Sequence, residues 1–383
     1  MGKVQTKSKH PHRSKHRGID GSRKAETQEP TVLLVQASQF LQLGNPEAAL
    51  PLAEKAVRLC SRPSNAQYSL PSFNLLAQIE IELGDPDAAR EHFKAAIDLD
   101  PNGDESEELG GGAEKFLWLA QLSEEGGRDS IRWFERGAAI LEREIGGLQG
   151  KMDGEEELEE KKTKLASALC GMIEVWMTDL SLEPEAEATC EALITQALML
   201  SEPPLPYTLQ TLASIRLSQS RLEDAQSALQ RSVGSWNDLP LEHSLVPDFP
   251  TRISLVRLLM EAELEELALE VVERLVGEDD QSIEAWYLGG WCLWLLGYKE
   301  GEAVYAEDQK ALLMSSREWL RNCLKLYTLL DYEDDRLRDH ATELVHGLDQ
   351  QLGSQEIEDD EEEEDWEDDG SEESDEDHEM SGT

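Results

Sequence analysis

Apolar and small residues recur every three or four positions along residues 30–352, which is the spacing that lines one face of an α-helix. Signals for β-strands, such as runs of alternating β-branched residues, are nearly absent from the same stretch. The pattern therefore predicts an all-α protein over these residues.

The predicted helices come in pairs that resemble one another. The clearest pair runs from Phe73 to Pro101, and its two helices are separated by the turn Gly84-Asp85-Pro86. A matching turn, Gly44-Asn45-Pro46, lies forty residues earlier. In each turn, Gly can end the first helix in a left-handed conformation, and Pro can start the second helix with its φ angle already set.

Small residues stand where paired helices would approach most closely, namely at Ala37, Ala49, Ala77 and Ala89. This arrangement resembles the tetratricopeptide repeat, a helical hairpin with a period of about 34 residues. Weaker units follow at residues 116–134, 165–200, 209–229 and 253–275, and a further first helix contains Trp286 and Gly290. We expect a right-handed superhelical solenoid of about seven irregular tetratricopeptide-like hairpins, closed by a polar-faced helix over 334–352. Insertions that separate the units are predicted at 102–112, 146–160, 236–250 and 298–308.

Charge divides the chain into three parts. Residues 1–24 carry eight Lys and Arg against one acid, and residues 356–379 carry eighteen acids with no Lys or Arg. With +7 and −18 in these segments, a total of −46 leaves −35 for the rest. We predict a disordered basic arm over 1–29, the solenoid over 30–352 and a disordered acidic tail over 353–383.

The strong negative charge argues against binding of nucleic acid or anionic lipid and favours a cationic protein partner. The chain shows no secretory signal and no transmembrane stretch. Five separated cysteines without a C-x-x-C pair predict buried, reduced thiols and no zinc site. No nucleotide-binding, metalloprotease or nucleophile-elbow motif occurs, and the eight histidines are scattered. We therefore expect no enzyme activity, no cofactor and no metal.

The first helices of stacked hairpins line the concave surface of such a solenoid, so the repeat register predicts which side chains face a partner. Carboxylates among them would pair with Lys and Arg, and aromatic rings would accept guanidinium stacking. For the two tryptophans of this set, packing between repeats is an equally good interpretation. The predicted partner-binding residues are Asn74, Gln78, Glu82, Glu114, Gln121, Glu124, Glu125, Glu261, Glu284, Tyr287, Trp291 and Trp294.

The whole chain also resembles the fungal family of assembly chaperones for ribosomal protein L-four of the large subunit. The likeness is carried by residues 173–180, 183–187 and 285–291, together with the acidic run around Trp366. It implies a tetratricopeptide protein that captures newly synthesised ribosomal protein L-four, shields its long basic extension and escorts it into the nucleus. The resemblance thus implies a location in both cytoplasm and nucleus, with the nuclear import machinery as a possible further partner.

Other interpretations remain open from the residues alone. The protein could be a structural scaffold, or a co-chaperone that clamps the acidic C-terminus of heat-shock chaperones, although such a clamp needs a basic groove. The basic arm could serve nuclear import, contact RNA or mask the acidic tail, and its lack of interleaved aromatics favours import or masking over RNA binding.

Overall fold

The computed structural model describes residues 29–149, 154–299 and 306–353. Within these ranges the chain forms fifteen α-helices and two short 3₁₀ helices, and no strand. The predicted all-α class and the succession of helical hairpins are confirmed. The predicted arm and tail lie outside the described residues, apart from Glu29 and Gly353 at the edges. The described residues fall into two compact units, one within 29–247 and the other within 248–353.

The first unit contains five hairpins built from consecutive, mutually contacting helices. Short 3₁₀ helices lie at Pro63–Tyr68 and Glu107–Leu109, in the connections that precede the second and third hairpins. The helices are α1 Pro30–Gln42, α2 Pro46–Cys60, α3 Ser69–Glu82, α4 Pro86–Leu99, α5 Glu114–Gln121, α6 Gly127–Leu148, α7 Glu155–Met177, α8 Ala186–Leu198, α9 Pro206–Ser218 and α10 Leu222–Gly234.

The second unit contains two hairpins and a terminal helix. The helices are α11 Phe249–Glu261, α12 Glu265–Glu278, α13 Ile283–Tyr298, α14 Ala306–Leu329 and α15 Asp335–Leu352. The closing helix therefore lies where the sequence placed it. Gly289 and Gly290 allow α13 and α14 to approach closely, because a Cβ atom on either would lie within 3 Å of Trp319 or Leu320.

The first two hairpin turns behave as the sequence predicts. Gly44 and Gly84 have φ angles of +68° and +75°, a region that glycine enters without steric cost. The next residue in each turn caps the following helix, since the side chains of Asn45 and Asp85 accept hydrogen bonds from backbone amides three positions on. Proline then occupies the first turn of α2 and of α4.

Alanine side chains let the helices of the first two hairpins lie close together. Ala37, Ala49, Ala77 and Ala89 are fully buried, as predicted, and larger side chains fill the space around them. Phe93 is the largest buried side chain of α4, and it belongs to a core shared by α3 to α9. Packing between successive hairpins therefore supplies the core that one hairpin alone could not form.

The predicted insertion over residues 146–160 is helical over most of its described residues. Helix α6 continues to Leu148, and α7 already begins at Glu155. Gly146 and Gly147 are tolerated inside α6 on an open surface, where no neighbouring atom approaches. The acidic residues at the start of α7 lie at the positive end of the helix dipole and stabilise it, so the acidic part of the insertion begins a helix.

All five cysteines, Cys60, Cys170, Cys190, Cys292 and Cys323, are buried and unpaired in disulfides. Burial raises the pKa of Cys170 to about 11 and that of Cys292 to about 12. Among the described residues no cluster of His, Cys, Asp or Glu is suited to hold a metal ion. None of the helices in these ranges has the length and apolar character needed to cross a bilayer.

We expect none of the five thiols to react with a thiol-specific reagent in the native protein at pH 8, because all five are buried and burial raises the pKa of four of them, Cys170, Cys190, Cys292 and Cys323. Counting the thiols modified by Ellman's reagent checks this. All five should react at once in 6 M guanidinium chloride. Fast modification of even one thiol in buffer would contradict the buried arrangement.

Candidate functional site

A groove of about 720 Å³ lies in the first unit between the first helices of successive hairpins. Helices α1 and α3 form two of its sides, and the connection between α4 and α5 closes a third. The lining residues are Thr31, Leu34, Val35, Ser38, Gln39, Gln42, Tyr68, Pro71, Asn74, Leu75, Gln78, Glu107, Glu108, Leu109, Gly110 and Glu114. Amide and hydroxyl groups alternate with apolar side chains, which suits an extended peptide better than a small rigid ligand.

The charge of this groove has one sign. Three glutamates, Glu107, Glu108 and Glu114, contribute to the lining, and no Lys or Arg among the described residues does so. All three are exposed to solvent. Glu108 and Glu114 form no salt bridge with any residue in the described ranges, although Glu114 interacts electrostatically with Lys164, so both carboxylates can still pair with a cationic partner.

Buried hydrogen bonds fix the connection that carries Glu107 and Glu108. Lys115 is fully buried, and its Nζ donates to Asp100 Oδ2 at 2.8 Å and to the carbonyl of Gly112 at 3.1 Å. From the other side, the Asn74 amide donates to the carbonyl of Gly110 at 2.7 Å. These contacts tie both ends of the connection to neighbouring helices, which gives the two glutamates a defined position beside α3.

At its inner end the groove continues into a smaller cavity of about 260 Å³, lined in part by α5 and α7. Lys115, Lys161 and Lys164 line this cavity, but each is paired with a carboxylate. Lys161 contacts both Glu107 and Glu144. Burial by itself would lower the pKa of Lys161, but its bonds to these two carboxylates raise it above the ordinary value. The lysines are therefore occupied within the protein and leave the outer groove acidic.

Three of the predicted partner-binding residues come together in this groove. Asn74 and Gln78 lie one turn apart on α3, and Glu114 stands at the first position of α5. Glu82 and Gln121 are exposed at the last residues of α3 and α5, outside the groove lining.

The prediction for Glu124 and Glu125 needs a correction. Both residues follow the end of α5 and lie in the turn before α6, so they are not on a first helix. Glu124 instead forms an ion pair of 2.6 Å with Arg90 on α4, a second helix. Helix α5 ends at Gln121, and the turn that follows it includes Gly126 and Gly127, both with positive φ angles.

The remaining predicted residues belong to the second unit. Glu261 is exposed at the end of α11. Glu284 on α13 is paired with Arg257 of α11 at 2.7 Å, so part of its charge is already balanced. This pair joins two first helices of neighbouring hairpins.

The aromatic residues Tyr287, Trp291 and Trp294 are half-buried and pack around leucines of α14 and α15. Tyr287 Oη lies 2.8 Å from Nδ1 of His340 on α15, and burial raises the pKa of Tyr287 to about 12. The His340 ring also meets Trp291 edge to face. The terminal helix therefore covers part of this aromatic surface, which favours the packing interpretation of these rings.

Sequence reasoning missed the contribution of α1 and of Glu107 and Glu108. The sequence does contain a signal for α1. The two hairpin turns are forty residues apart, so Leu34 and Ser38 occupy the same repeat positions as Asn74 and Gln78. No comparable signal exists for the two glutamates. They lie in an apparent insertion between repeats, and the hydrogen bonds that hold it are long-range contacts.

Comparison with known proteins agrees with this architecture. A sequence profile described as tetratricopeptide repeat matches residues 29–102, which span the first two hairpins. A "probable assembly chaperone of rpl4" from Emericella nidulans is 47% identical over 377 residues, covering 94% of this chain and 93% of that protein. The chain belongs to the family of assembly chaperones of rpl4. A protein of the same description from Schizosaccharomyces pombe is 33% identical and covers 87% of this chain and 94% of its own length.

A solved structure of this family shows the same fold. The structure of "Assembly Chaperone of RpL4 (Acl4) (Residues 1-338)" has a TM-score of 0.64 and 49% sequence identity to this chain. It covers 71% of this chain and 98% of its own length. The family and the tetratricopeptide fold are thus supported by sequence and by structure.

Proposed function

We propose that this protein is a dedicated chaperone of rpl4. It binds the newly synthesised ribosomal protein through an extended Lys/Arg-rich segment, shields that segment, and escorts the complex to the nucleus for assembly of the large subunit. The role is one of binding without catalysis. It places the protein in both cytoplasm and nucleus, in contact with the import machinery. The names of the relatives support the client, and the groove supports the way in which it is held.

The observation that carries the binding mode is the one-sided charge of the groove between α1, α3 and α5. Its three glutamates stand among amide and hydroxyl side chains that can bond to a peptide backbone. A basic segment laid along it would gain charge-assisted hydrogen bonds from Glu108 and Glu114. Since these carboxylates are exposed, each contact would contribute only a modest amount, and affinity would come from the sum along the segment.

The same electrostatic attraction would also shield the basic segment of the client. Ribosomal proteins are made for contact with RNA, so an uncovered basic segment would attract any polyanion it meets. A chaperone with a large negative charge both speeds the encounter and screens the segment once bound. The electrostatic part of this binding weakens with salt, because exposed charge pairs are screened within about 8 Å at physiological ionic strength.

We expect the replacement Glu108→Gln together with Glu114→Gln to weaken binding of purified rpl4 by roughly 3–10-fold at low salt, equivalent to about 0.6–1.4 kcal/mol. Isothermal titration calorimetry at about 50 and 500 mM NaCl measures the affinity for rpl4. For the unmodified chain, affinity should fall by at least about ten-fold across this range, and the double variant should show a shallower fall.

The matched control is Asp98→Asn with Glu135→Gln, since these acids are equally exposed but lie on the second helices α4 and α6. It removes the same formal charge from another surface. Equal loss of affinity in both double variants would mean that overall charge, and not this groove, holds the client. Binding of an acidic C-terminal peptide in place of rpl4 would instead support the heat-shock co-chaperone alternative.

A further inference from the structure

We propose that the basic arm, residues 1–28, docks in the acidic groove of its own chain and there competes with the basic segment of a client. The docking itself depends only on this chain. The competition rests on the proposed function, and the experiments below separate the two.

The first argument is position. The described chain starts at Glu29, and Thr31, two residues later, already lines the groove. The arm thus leaves the folded unit beside the groove. Along α1 the lining extends from Thr31 to Gln42, which corresponds to about 17 Å of helix. Arg23 and Lys24 precede Glu29 by five or six residues, and that length of extended chain spans about 17–20 Å.

The second argument is charge complementarity. The arm carries eight Lys and Arg against two acids, Asp20 and Glu26, whereas the groove lining contains three glutamates and, among the described residues, no basic side chain. Glu107 and Glu108 lie on the connection that the Asn74–Gly110 bond holds beside α3. Glu107 is already paired with Lys161, so it is the carboxylate of Glu108 that has the chemistry and position to meet the last basic residues of the arm.

The third argument is the effect of tethering. A segment linked by a few residues experiences an effective concentration in the millimolar range at its own site. An arm with only weak intrinsic affinity would therefore fill the groove for a substantial fraction of the time. The docked arm would exclude other cations from the groove. It would also lower the apparent affinity for a client, and more so the larger the fraction of time for which it fills the groove. A client with a longer basic segment, which reaches further contacts, displaces it.

The docking is tested with a zero-length carbodiimide crosslinker, which joins Lys amines to carboxylates that are in ion-pair contact. In the full-length protein, peptide mapping by mass spectrometry should show Lys15 or Lys24 joined to Glu108 or Glu114. A mixture of light and heavy isotope-labelled protein should give links within one chain only. The variant Glu108→Gln with Glu114→Gln should lose these links, and Asp98→Asn with Glu135→Gln should keep them.

Links from the arm only to residues 356–379, only to acids on the second helices, or only between two chains would each overturn the proposal. The first of these outcomes would show that the arm pairs with the acidic tail instead of the groove. Because no client is present, the result does not depend on whether rpl4 uses this groove.

The competition is tested by replacing the eight Lys and Arg of residues 3–24 with Gln in the full-length chain. Calorimetry with rpl4 at low salt should show affinity roughly 3–10-fold higher than for the unmodified arm. Unchanged or lower affinity, in a protein that does show arm-to-groove links, would overturn the competition. Replacing Glu108 and Glu114 could leave rpl4 binding unchanged while the unmodified chain still shows arm-to-groove links. That result would contradict the proposed client site but not the docking of the arm.

Discussion

Replacing Asp100 by Ala is expected to lower the local free energy of unfolding by about 3–5 kcal/mol, because it leaves the ammonium group of Lys115 buried without a counter-ion. Lys115 is 1% exposed and its Nζ contacts Asp100 Oδ2 at 2.8 Å. The connection that holds Glu107 and Glu108 would loosen as a result. Hydrogen exchange of the amides in α4 and α5, read by mass spectrometry, measures the change where it occurs.

Two controls separate charge burial from simple truncation. Replacing the exposed neighbour Asp98, near the end of α4, by Ala should lower the free energy of unfolding by about 0.5 kcal/mol or less. The double variant Asp100→Asn, Lys115→Met removes both charges and keeps an acceptor for the Asp104 amide. Its free energy of unfolding should therefore fall markedly less than that of Asp100→Ala. A double variant that is as unstable as the single one would show that the ion pair is not what matters.

The same pair gives a direction for the pH dependence. Burial by itself would raise the pKa of Asp100, but the hydrogen bonds from Lys115 and from the backbone of Asp104 lower it below its ordinary value of 3.8. A carboxyl whose pKa is lower in the folded state stabilises the fold above its unfolded pKa. That contribution is present above about pH 4, is lost as pH falls through the lowered pKa, and should be missing from the Asp100→Asn, Lys115→Met variant.

Replacing Phe93 by Ala is expected to destabilise the second and third hairpins by about 3–5 kcal/mol, through lost burial and the cavity left behind. Phe93 is 1% exposed, and its ring stacks on Trp118 with centroids 6.3 Å apart. Since the core joins successive hairpins, the loss should appear in α3 to α6 and not only in α4. Urea unfolding followed by tryptophan fluorescence, combined with hydrogen exchange, measures both its size and its extent.

Phe40 offers the matched control, because it is a phenylalanine in the preceding hairpin that is 38% exposed. Its replacement by Ala should cost about 1 kcal/mol or less. Similar losses for Phe40 and Phe93 would contradict the packing described for the first unit. The comparison also shows a limit of pattern reading, since both residues occur in repeat-like helices and only the neighbouring hairpin decides which ring is covered.

Much of the candidate site follows from local rules, and some of it does not. The register of the repeat predicted one shared surface for Asn74, Gln78 and Glu114, and the three line one groove, because helix periodicity and the hairpin turns determine which faces of first helices are shared. It failed at Glu124, because α5 ends at Gln121 and Glu124 lies in the turn before α6. Periodicity alone gives no information on where a helix stops when the stop depends on the following turn.

In the second unit, too, the sequence predicted the positions of aromatic residues along a helix but not what their rings contact. Tyr287 and Trp291 lie on the helix predicted for them, at the predicted spacing. Whether such rings face a partner or another helix depends on what covers them, and in this protein α15 does so through His340. The segment that covers α13 is some fifty residues away in sequence, so no local pattern could reveal it.

The sequence by itself determined the helical class, the order of the hairpins, the first two turns with their capping residues, and the excess of negative charge. These features depend on contacts between residues close together in the chain, or on composition alone. Only the tertiary structure decided which carboxylates form ion pairs with buried lysines and which do not. It also decided that the connection between α4 and α5 is held beside α3. Those outcomes depend on contacts such as Lys161 with Glu107 and Asn74 with Gly110, which join residues 54 and 36 positions apart.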